Sequence, residues 1–216
     1  LNTGGIPAMK LIEDLELDFG FEISIKKEIP LSGGLGSSAA TAAGVVYGVN
    51  QLLGDVLSDK QIISYAIEGE KISSITPHAD NIGPCLNGGL VLVKQISPPD
   101  IIKLSIGDFY IAIVHPKIKI STKFSRKILP KQIYLSDAIK QWRNIAALTA
   151  GFINNDIELI GKSMKDYIID PIRSKLITGY DNVKQVALDN GAIGCGISGS
   201  GPSIFALCQD KKNAIN

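Results

Sequence analysis

Apolar and polar positions follow two different spacings along the chain. From Ala8 to Leu17 the apolar residues recur at helical intervals, and Phe21, Ile23, Ile25 and Lys27 then alternate with polar neighbours as a half-exposed strand would. A glycine-rich stretch follows that β-like segment (Phe21 to Ile29) and opens into Ser38 to Leu53, whose small residues predict a helix packed on more than one side. Lys60 to Ile72 returns to helical spacing, Pro77 forces the chain out of that helix, and Gly88 to Lys94 reads as a strand. Ser97-Pro98-Pro99-Asp100 is the strongest internal boundary and divides the chain into domains of residues 1–97 and 98–216. Beyond it, Phe109 to His115 is β-prone. Ser136 to Asn154, Ile157 to Ile169 and Asp181 to Asp189 are helical, and a glycine-rich turn leads into the strand Ser203 to Leu207. Helices and strands mix without regular alternation, so the expected class is α+β.

Composition narrows what such a chain can do. With 216 residues, 45% of them hydrophobic, it can bury one large core or two small ones. Its formal net charge is +1 and no basic run is interleaved with aromatics, so a nucleic-acid partner is not expected. No apolar run is long enough to span a membrane and the first residues lack signal-peptide character, which makes the cytoplasm the expected compartment. Cys85, Cys195 and Cys208 have no metal-ligand spacing and read as buried small hydrophobes. His78 and His115 are the chain's two histidines, too few for a histidine-rich metal site. Hard cations held by oxygen remain, and Mg2+ suits a phosphate site.

The run Pro30-Leu31-Ser32-Gly33-Gly34-Leu35-Gly36-Ser37-Ser38-Ala39-Ala40 carries the chemistry. Its glycines let main-chain amides approach an anion closely, and the helix start that follows adds unpaired N–H groups and partial positive charge. This is the pattern of a phosphate cradle, the other reading being a tight turn capped by Ser37. No Lys-Ser/Thr pair ends it, which excludes a Walker-type loop, and its spacing departs from the dinucleotide fingerprint.

Several polar residues are candidates to serve that loop. Glu68 and Glu70 lie two positions apart on one helix, so at most one should face inward toward a cation, the other reading for each being a solvated surface. Ser37 and Ser38 could supply a hydroxyl ligand. His78-Ala79-Asp80-Asn81 sets three polar side chains in one turn, which reads as a substrate loop or as an Asx-type turn. Arg126, after Ser121-Thr122, and Arg173, after Asp170-Pro171, are each a surface arginine or an anion clamp. A second glycine-rich turn, Gly196-Ile197-Ser198-Gly199-Ser200-Gly201-Pro202, permits close backbone approach to a ligand or to the first loop.

The two glycine loops, PLSGGLGSSAA and GISGSGPSIFAL, resemble the second and third signature motifs of the GHMP small-molecule kinases. Within that group the resemblance is to the homoserine kinases. It rests on Pro77 to Asn81 with Asn87-Gly88-Gly89, on Lys119 to Thr122 with Arg126 and Ile128-Leu129-Pro130, and on Met164-Lys165-Asp166 with Asp170 to Arg173. The resemblance implies ATP-dependent phosphorylation of the side-chain hydroxyl of L-homoserine, on the route to threonine. It also implies a two-domain GHMP kinase fold, with an N-terminal domain like ribosomal protein S5 domain 2 and a ferredoxin-like C-terminal domain.

Site roles follow from the same resemblance. Leu31, Ser32, Gly33, Gly34, Leu35, Gly36, Ser37, Ser38, Ala39 and Ala40 would hold the triphosphate, Ser38 and Glu70 would bind Mg2+, and Asn2 would sit by the adenine. His78, Asp80, Thr122, Arg126 and Arg173 would hold the amino acid, with Asn81 and Arg173 acting in catalysis. Sugar- and mevalonate-type relatives use an aspartate as base at the position of Asn81. An amide cannot take that proton, so positioning and charge neutralisation are expected to carry the reaction, with the γ-phosphate accepting the proton.

On this resemblance the family's first signature, about sixty N-terminal residues, and its extreme C-terminus are expected to fall outside this chain. A sheet lacking strands offers an unpaired edge, so a homodimer or reliance on another chain is expected. Two rival readings are a nucleotide-binding fragment without turnover and a GHMP kinase for another alcohol. Asn81 and the Arg126/Arg173 pair argue against the second rival, because a free amino acid needs a cationic clamp for its carboxylate.

Overall fold

The computed structural model describes residues 2–30, 33–71 and 79–215. They form two compact units, one running to Pro30 and from Gly36 to Leu104, the other comprising Gly33–Leu35 and the chain from Ser105 onward.

The first unit is built on helices α1 (Gly5–Asp14), α2 (Ser37–Leu52), α3 (Asp59–Glu70) and α4 (Ile82–Asn87), with the hairpin β1 (Leu90–Gln95) and β2 (Asp100–Leu104). α2 is alanine-rich because its neighbours come very close. Ala39, Ala42 and Ala43 are buried, and a Cβ added to Gly69 of α3 would stand 2.9 Å from that of Ala42. α3 starts with a capping box in which the Ser58 amide donates to Gln61 Oε1 at 2.9 Å. Leu11, Val46, Ala66 and Ile82 are fully enclosed in this unit's core.

The alternating segment 21–29 is not a strand. It makes no ladder hydrogen bond with any described residue, and Glu22 to Pro30 are all exposed. Alternation marks a strand only where a partner edge accepts it, and the β1–β2 hairpin does not extend to this segment. The expected boundary at 97/98 also moves. Asp100 opens β2, which pairs antiparallel with β1 from Leu90↔Leu104 to Gln95↔Asp100, so the two prolines turn a hairpin and the units change over after Leu104. Cys85 is exposed rather than buried, because α4 turns Ile82 and Gly83 inward instead.

The second unit contains β3 (Tyr110–Val114), α5 (Thr122–Lys127), α6 (Leu135–Asn154), α7 (Ile157–Ser163), α8 (Asp170–Arg173) and α9 (Tyr180–Asp189), followed by β4 (Gly194–Ile197), β5 (Ile204–Cys208) and α10 (Lys211–Ile215). β5 lies between β3 and β4 and is antiparallel to both, in the register Val114↔Ile204 and Ile197↔Ile204. Cys195, Ile204 and Ala206 of the sheet pack with Ile120, Ile177 and Tyr180 to make the core. α7 ends at Ser163 instead of running to Ile169, because Asp166 Oδ1 takes the amides of Ile168 and Ile169, both at 2.7 Å, into an Asx-type turn. Cys195 and Cys208 are buried as expected. Among the described residues no helix is long and apolar enough to cross a membrane.

Candidate active site

The first glycine loop enters the site through the second unit. Ser198 Oγ donates to the Gly34 carbonyl at 2.9 Å, and the Ser203 amide donates to the Gly33 carbonyl at 3.2 Å. Gly34 has φ +77°, and a Cβ there would overlap the Ser198 carbonyl oxygen, so only glycine fits this approach. The second glycine-rich turn is therefore the seat on which the first one rests.

In the first unit the loop becomes the head of α2. Gly36 at φ 71° is its N-cap in left-handed conformation, and no side chain caps the helix. Among the described residues nothing accepts the amides of Ser37, Ser38 and Ala39, so these donors stand ready for an anion. Ser38 Oγ is buried and makes no hydrogen bond among the described residues. A hydroxyl left so is costly unless a ligand takes it up, and it suits an oxygen ligand to a hard cation.

The two glutamates separate as helical geometry requires. Glu70 is only 8% exposed, whereas Glu68 pairs with Lys71 at 2.6 Å on the surface. The Glu70 carboxylate also lies close enough to Cys85 to add to the effect of burial in raising that thiol's pKa. Ser38 and Glu70 thus fit the chemistry of a magnesium site, though among the described residues no cluster of three or more His, Cys, Asp or Glu side chains forms one by itself. Asn81 stands beside the loop: a Cβ on Gly36 would be 3.1 Å from its Oδ1. Asp80 is exposed on the same turn. A groove of about 320 Å³ lined by Lys26, Lys27, Ser37, Ala40 and Thr41 among others reaches the head of α2.

The second unit gathers the cationic residues. Arg173 Nη1 donates to the Gly199 carbonyl at 2.9 Å and Nε to the Ser125 carbonyl at 3.4 Å. Ser125, fully enclosed, donates its hydroxyl to the Ser200 carbonyl at 3.1 Å, and Ser200 Oγ lies 3.5 Å from Thr122 Oγ1. Burial, and then the neighbouring Arg126 guanidinium, lower the pKa of Arg173. Two like charges held together without an ion pair among the described residues favour an anion between them. A larger groove of about 580 Å³ in this unit is lined by alkyl, asparagine and cysteine side chains and offers no cation, so it does not suit a carboxylate or phosphate.

Thr122, Arg126 and Arg173 therefore meet on the second glycine turn, which Gly33 and Gly34 also touch. Leu35 is in the same unit, whereas Gly36, Ser37, Ser38, Ala39, Ala40, Glu70, Asp80 and Asn81 belong to the first. Asn2, also in the first unit, uses its Oδ1 to accept the Gly4 amide at 2.8 Å at the start of α1. Leu31, Ser32 and His78 lie outside the described residues. Sequence reasoning did not single out Ser125, Ser203 or His115. Local sequence carried no signal for them, since each makes its contact with a residue far away in the chain: Ser125 Oγ reaches the Ser200 carbonyl at 3.1 Å and His115 Nδ1 lies 2.9 Å from Ser203 Oγ.

Comparison with known proteins places the chain in a family. The profile of the GHMP kinases N terminal domain matches residues 6–89 and that of the GHMP kinases C terminal matches residues 145–216. Homoserine kinase of Chloroherpeton thalassium is 42% identical over 220 aligned residues, covering 99% of this chain and 69% of that protein. That of Chlorobium phaeobacteroides (strain BS1) is 40% identical with the same coverage. The crystal structure of homoserine kinase from Cytophaga hutchinsonii is similar at a TM-score of 0.95 and 49% identity, over 99% of this chain and 68% of that one. Mevalonate kinase of L. major, crystallised with R-mevalonate, is 16% identical with a TM-score of 0.70, a likeness of fold alone. The α+β architecture is thus the GHMP kinase fold, and the chain belongs to the homoserine kinase family.

Proposed function

We propose that the chain transfers the γ-phosphoryl group of ATP to the side-chain hydroxyl of L-homoserine, giving O-phospho-L-homoserine and ADP. The observation that carries this reading is the double use of one turn: Ser198 holds the phosphate loop through Gly34, and the next carbonyl, Gly199, holds Arg173. A loop for phosphate and a guanidinium for carboxylate are what phosphorylation of a free amino acid needs. The homoserine kinases among the relatives support that choice of acceptor.

In this reading the amides of Ser37, Ser38 and Ala39 and the amides of the glycine loop bind the triphosphate. Arg173 and Arg126, with Thr122, hold the acceptor, and the family resemblance assigns His78 and Asp80 to the acceptor as well. Ser38 and Glu70 would hold Mg2+, which supplies charge neutralisation on the phosphates when bound. The hydroxyl oxygen forms the new P–O bond as the bond to ADP breaks, and the hydroxyl proton leaves to a γ-phosphate oxygen. Asn81, an amide that cannot act as a base, donates or accepts a hydrogen bond to keep that hydroxyl in place. We place the reaction in the cytoplasm, where ATP is available.

A coupled assay of ADP release tests the reading. ADP formation that depends on L-homoserine, and not on mevalonate, is the expected result; ATP binding without homoserine-dependent turnover would refute it.

A further inference from the structure

The turn Ser198–Gly201 is hydrogen-bonded on both of its sides within the second unit. It is closed on itself by the Ser198 amide to the Ser203 carbonyl at 2.8 Å and the Gly201 amide to the Ser198 carbonyl at 2.9 Å. On one side Ser198 Oγ grips the Gly34 carbonyl at 2.9 Å, across 164 positions of sequence. On the other side the carbonyls of Gly199 and Ser200 accept Arg173 Nη1 at 2.9 Å and Ser125 Oγ at 3.1 Å.

A trans peptide points its C=O and N–H in opposite directions. Anchoring the Gly33 carbonyl on Ser203 therefore turns the Gly34 amide away from the second glycine turn, and anchoring the Gly34 carbonyl on Ser198 does the same for the Leu35 amide. Neither amide has an acceptor among the described residues. The Ser203 contact is made by main chain and survives any substitution except proline. The Ser198 contact is made by a side chain and is the one that a single residue controls. Close packing adds stiffness, since a Cβ on Gly199 would stand 3.0 Å from the Gly34 carbonyl oxygen.

We propose that Ser198 is a positioning residue that sets the Gly34–Leu35 peptide for phosphate. Because the next carbonyl anchors Arg173, the same turn links affinity for the nucleotide to affinity for the amino acid. The inference rests on the reading of residues 31–40 as the triphosphate loop and adds the group that orients it. Ser198 touches neither substrate in this account; it acts through Gly34 and through the turn that Arg173 grips.

The test compares the wild-type chain with Ser198→Ala and Ser198→Thr, the second retaining the hydroxyl. Calorimetry with a nonhydrolysable ATP analogue, with and without L-homoserine, gives both affinities and their mutual enhancement; steady-state kinetics gives KM for ATP and kcat. Losing one side-chain hydrogen bond to a loop carbonyl is expected to weaken the analogue by about tenfold in Ser198→Ala. Ser198→Thr is expected to return to within about threefold of wild type by keeping that bond. The enhancement of homoserine affinity by the analogue should fall in Ser198→Ala, and its thermal midpoint should stay close to wild type. Unchanged analogue affinity in Ser198→Ala overturns the proposal, as does a loss that Ser198→Thr shares in full. If the wild-type chain fails to bind the analogue, the triphosphate-loop reading falls and takes this one with it; wild-type binding and turnover with an indifferent Ser198→Ala sinks the positioning role alone.

Discussion

Tyr180 donates its hydroxyl to the Asp170 carboxylate at 2.9 Å, joining the start of α9 to the start of the short helix that carries Arg173. The tyrosine ring is 4% exposed, and burial pushes its pKa far up, so it remains a proton donor. Burial also raises the Asp170 carboxyl above its ordinary 3.8, although the tyrosine hydrogen bond opposes this. Tyr180→Phe should therefore leave a half-buried carboxylate without its donor and cost about 1–3 kcal/mol, with KM for homoserine rising as α8 loosens. Thermal melts beside homoserine kinetics check both effects.

The same pair makes stability depend on pH in a defined direction. A carboxyl raised in the folded state holds its proton where the unfolded chain has lost it, so its contribution is complete below 3.8 and is lost as pH rises through the raised folded value. Asp170→Asn removes that decline while keeping an acceptor for Tyr180. Denaturant titrations across the acid range should show a flatter pH profile for the variant; parallel profiles would contradict the assignment.

Arg126 and Arg173 repel each other in the absence of an anion, which is one cause of the lowered pKa of Arg173. Arg126→Ala should leave stability within about 0.5 kcal/mol of wild type or raise it, while homoserine KM increases. Arg173→Lys loses the planar fork and should raise that KM by roughly tenfold to a hundredfold. Midpoints measured with and without homoserine separate the two effects, because only the ligand-bound midpoint should fall in Arg126→Ala.

Ser38 Oγ has no hydrogen bond among the described residues, so Ser38→Ala should disturb folding by less than about 0.5 kcal/mol. It should raise the magnesium concentration needed for half-maximal rate by about tenfold, the equivalent of about 1.4 kcal/mol in ligation. Glu70→Gln has a readout that does not involve turnover. Its charge is the second cause, after burial, of the raised Cys85 thiol pKa, so the pH at which that exposed thiol reacts with an alkylating reagent should fall part of the way to normal.

Gly34→Ala places a methyl group onto the Ser198 carbonyl oxygen at a φ of +77°. The left-handed backbone alone costs about 1–2 kcal/mol for a non-glycine residue, and relief of the overlap requires the loop to leave its seat, so nucleotide binding should be lost. Gly48→Ala in α2 meets nothing within 4 Å and should stabilise by up to about 1 kcal/mol. Analogue binding and chemical denaturation of the two variants make the comparison.

Much of the fold was legible locally. The helices α2, α3, α6 and α9 lie within two residues of the spans that their periodicity predicts, because small or apolar residues at helical spacing have few other ways to bury. β2 was missed because Pro98-Pro99 reads as a linker until pairing with β1 shows a hairpin. The segment 21–29 was misread for the converse reason, since alternation alone does not supply a partner edge. α7 stops early because Asp166 captures two amides, a competition that periodicity does not register.

The glycine loop, its helix and the candidate arginines were determined by the sequence alone, since amide density at a helix start and the charge of a side chain are local properties of residue type and spacing. Which glutamate turns inward, which hydroxyl lacks a hydrogen bond among the described residues, and that Ser198 and Ser125 hold the glycine turn were decided only by tertiary structure. Burial and hydrogen-bond partnership depend on residues distant in the chain: Gly34 and Ser198, 164 positions apart, meet only through the tertiary fold.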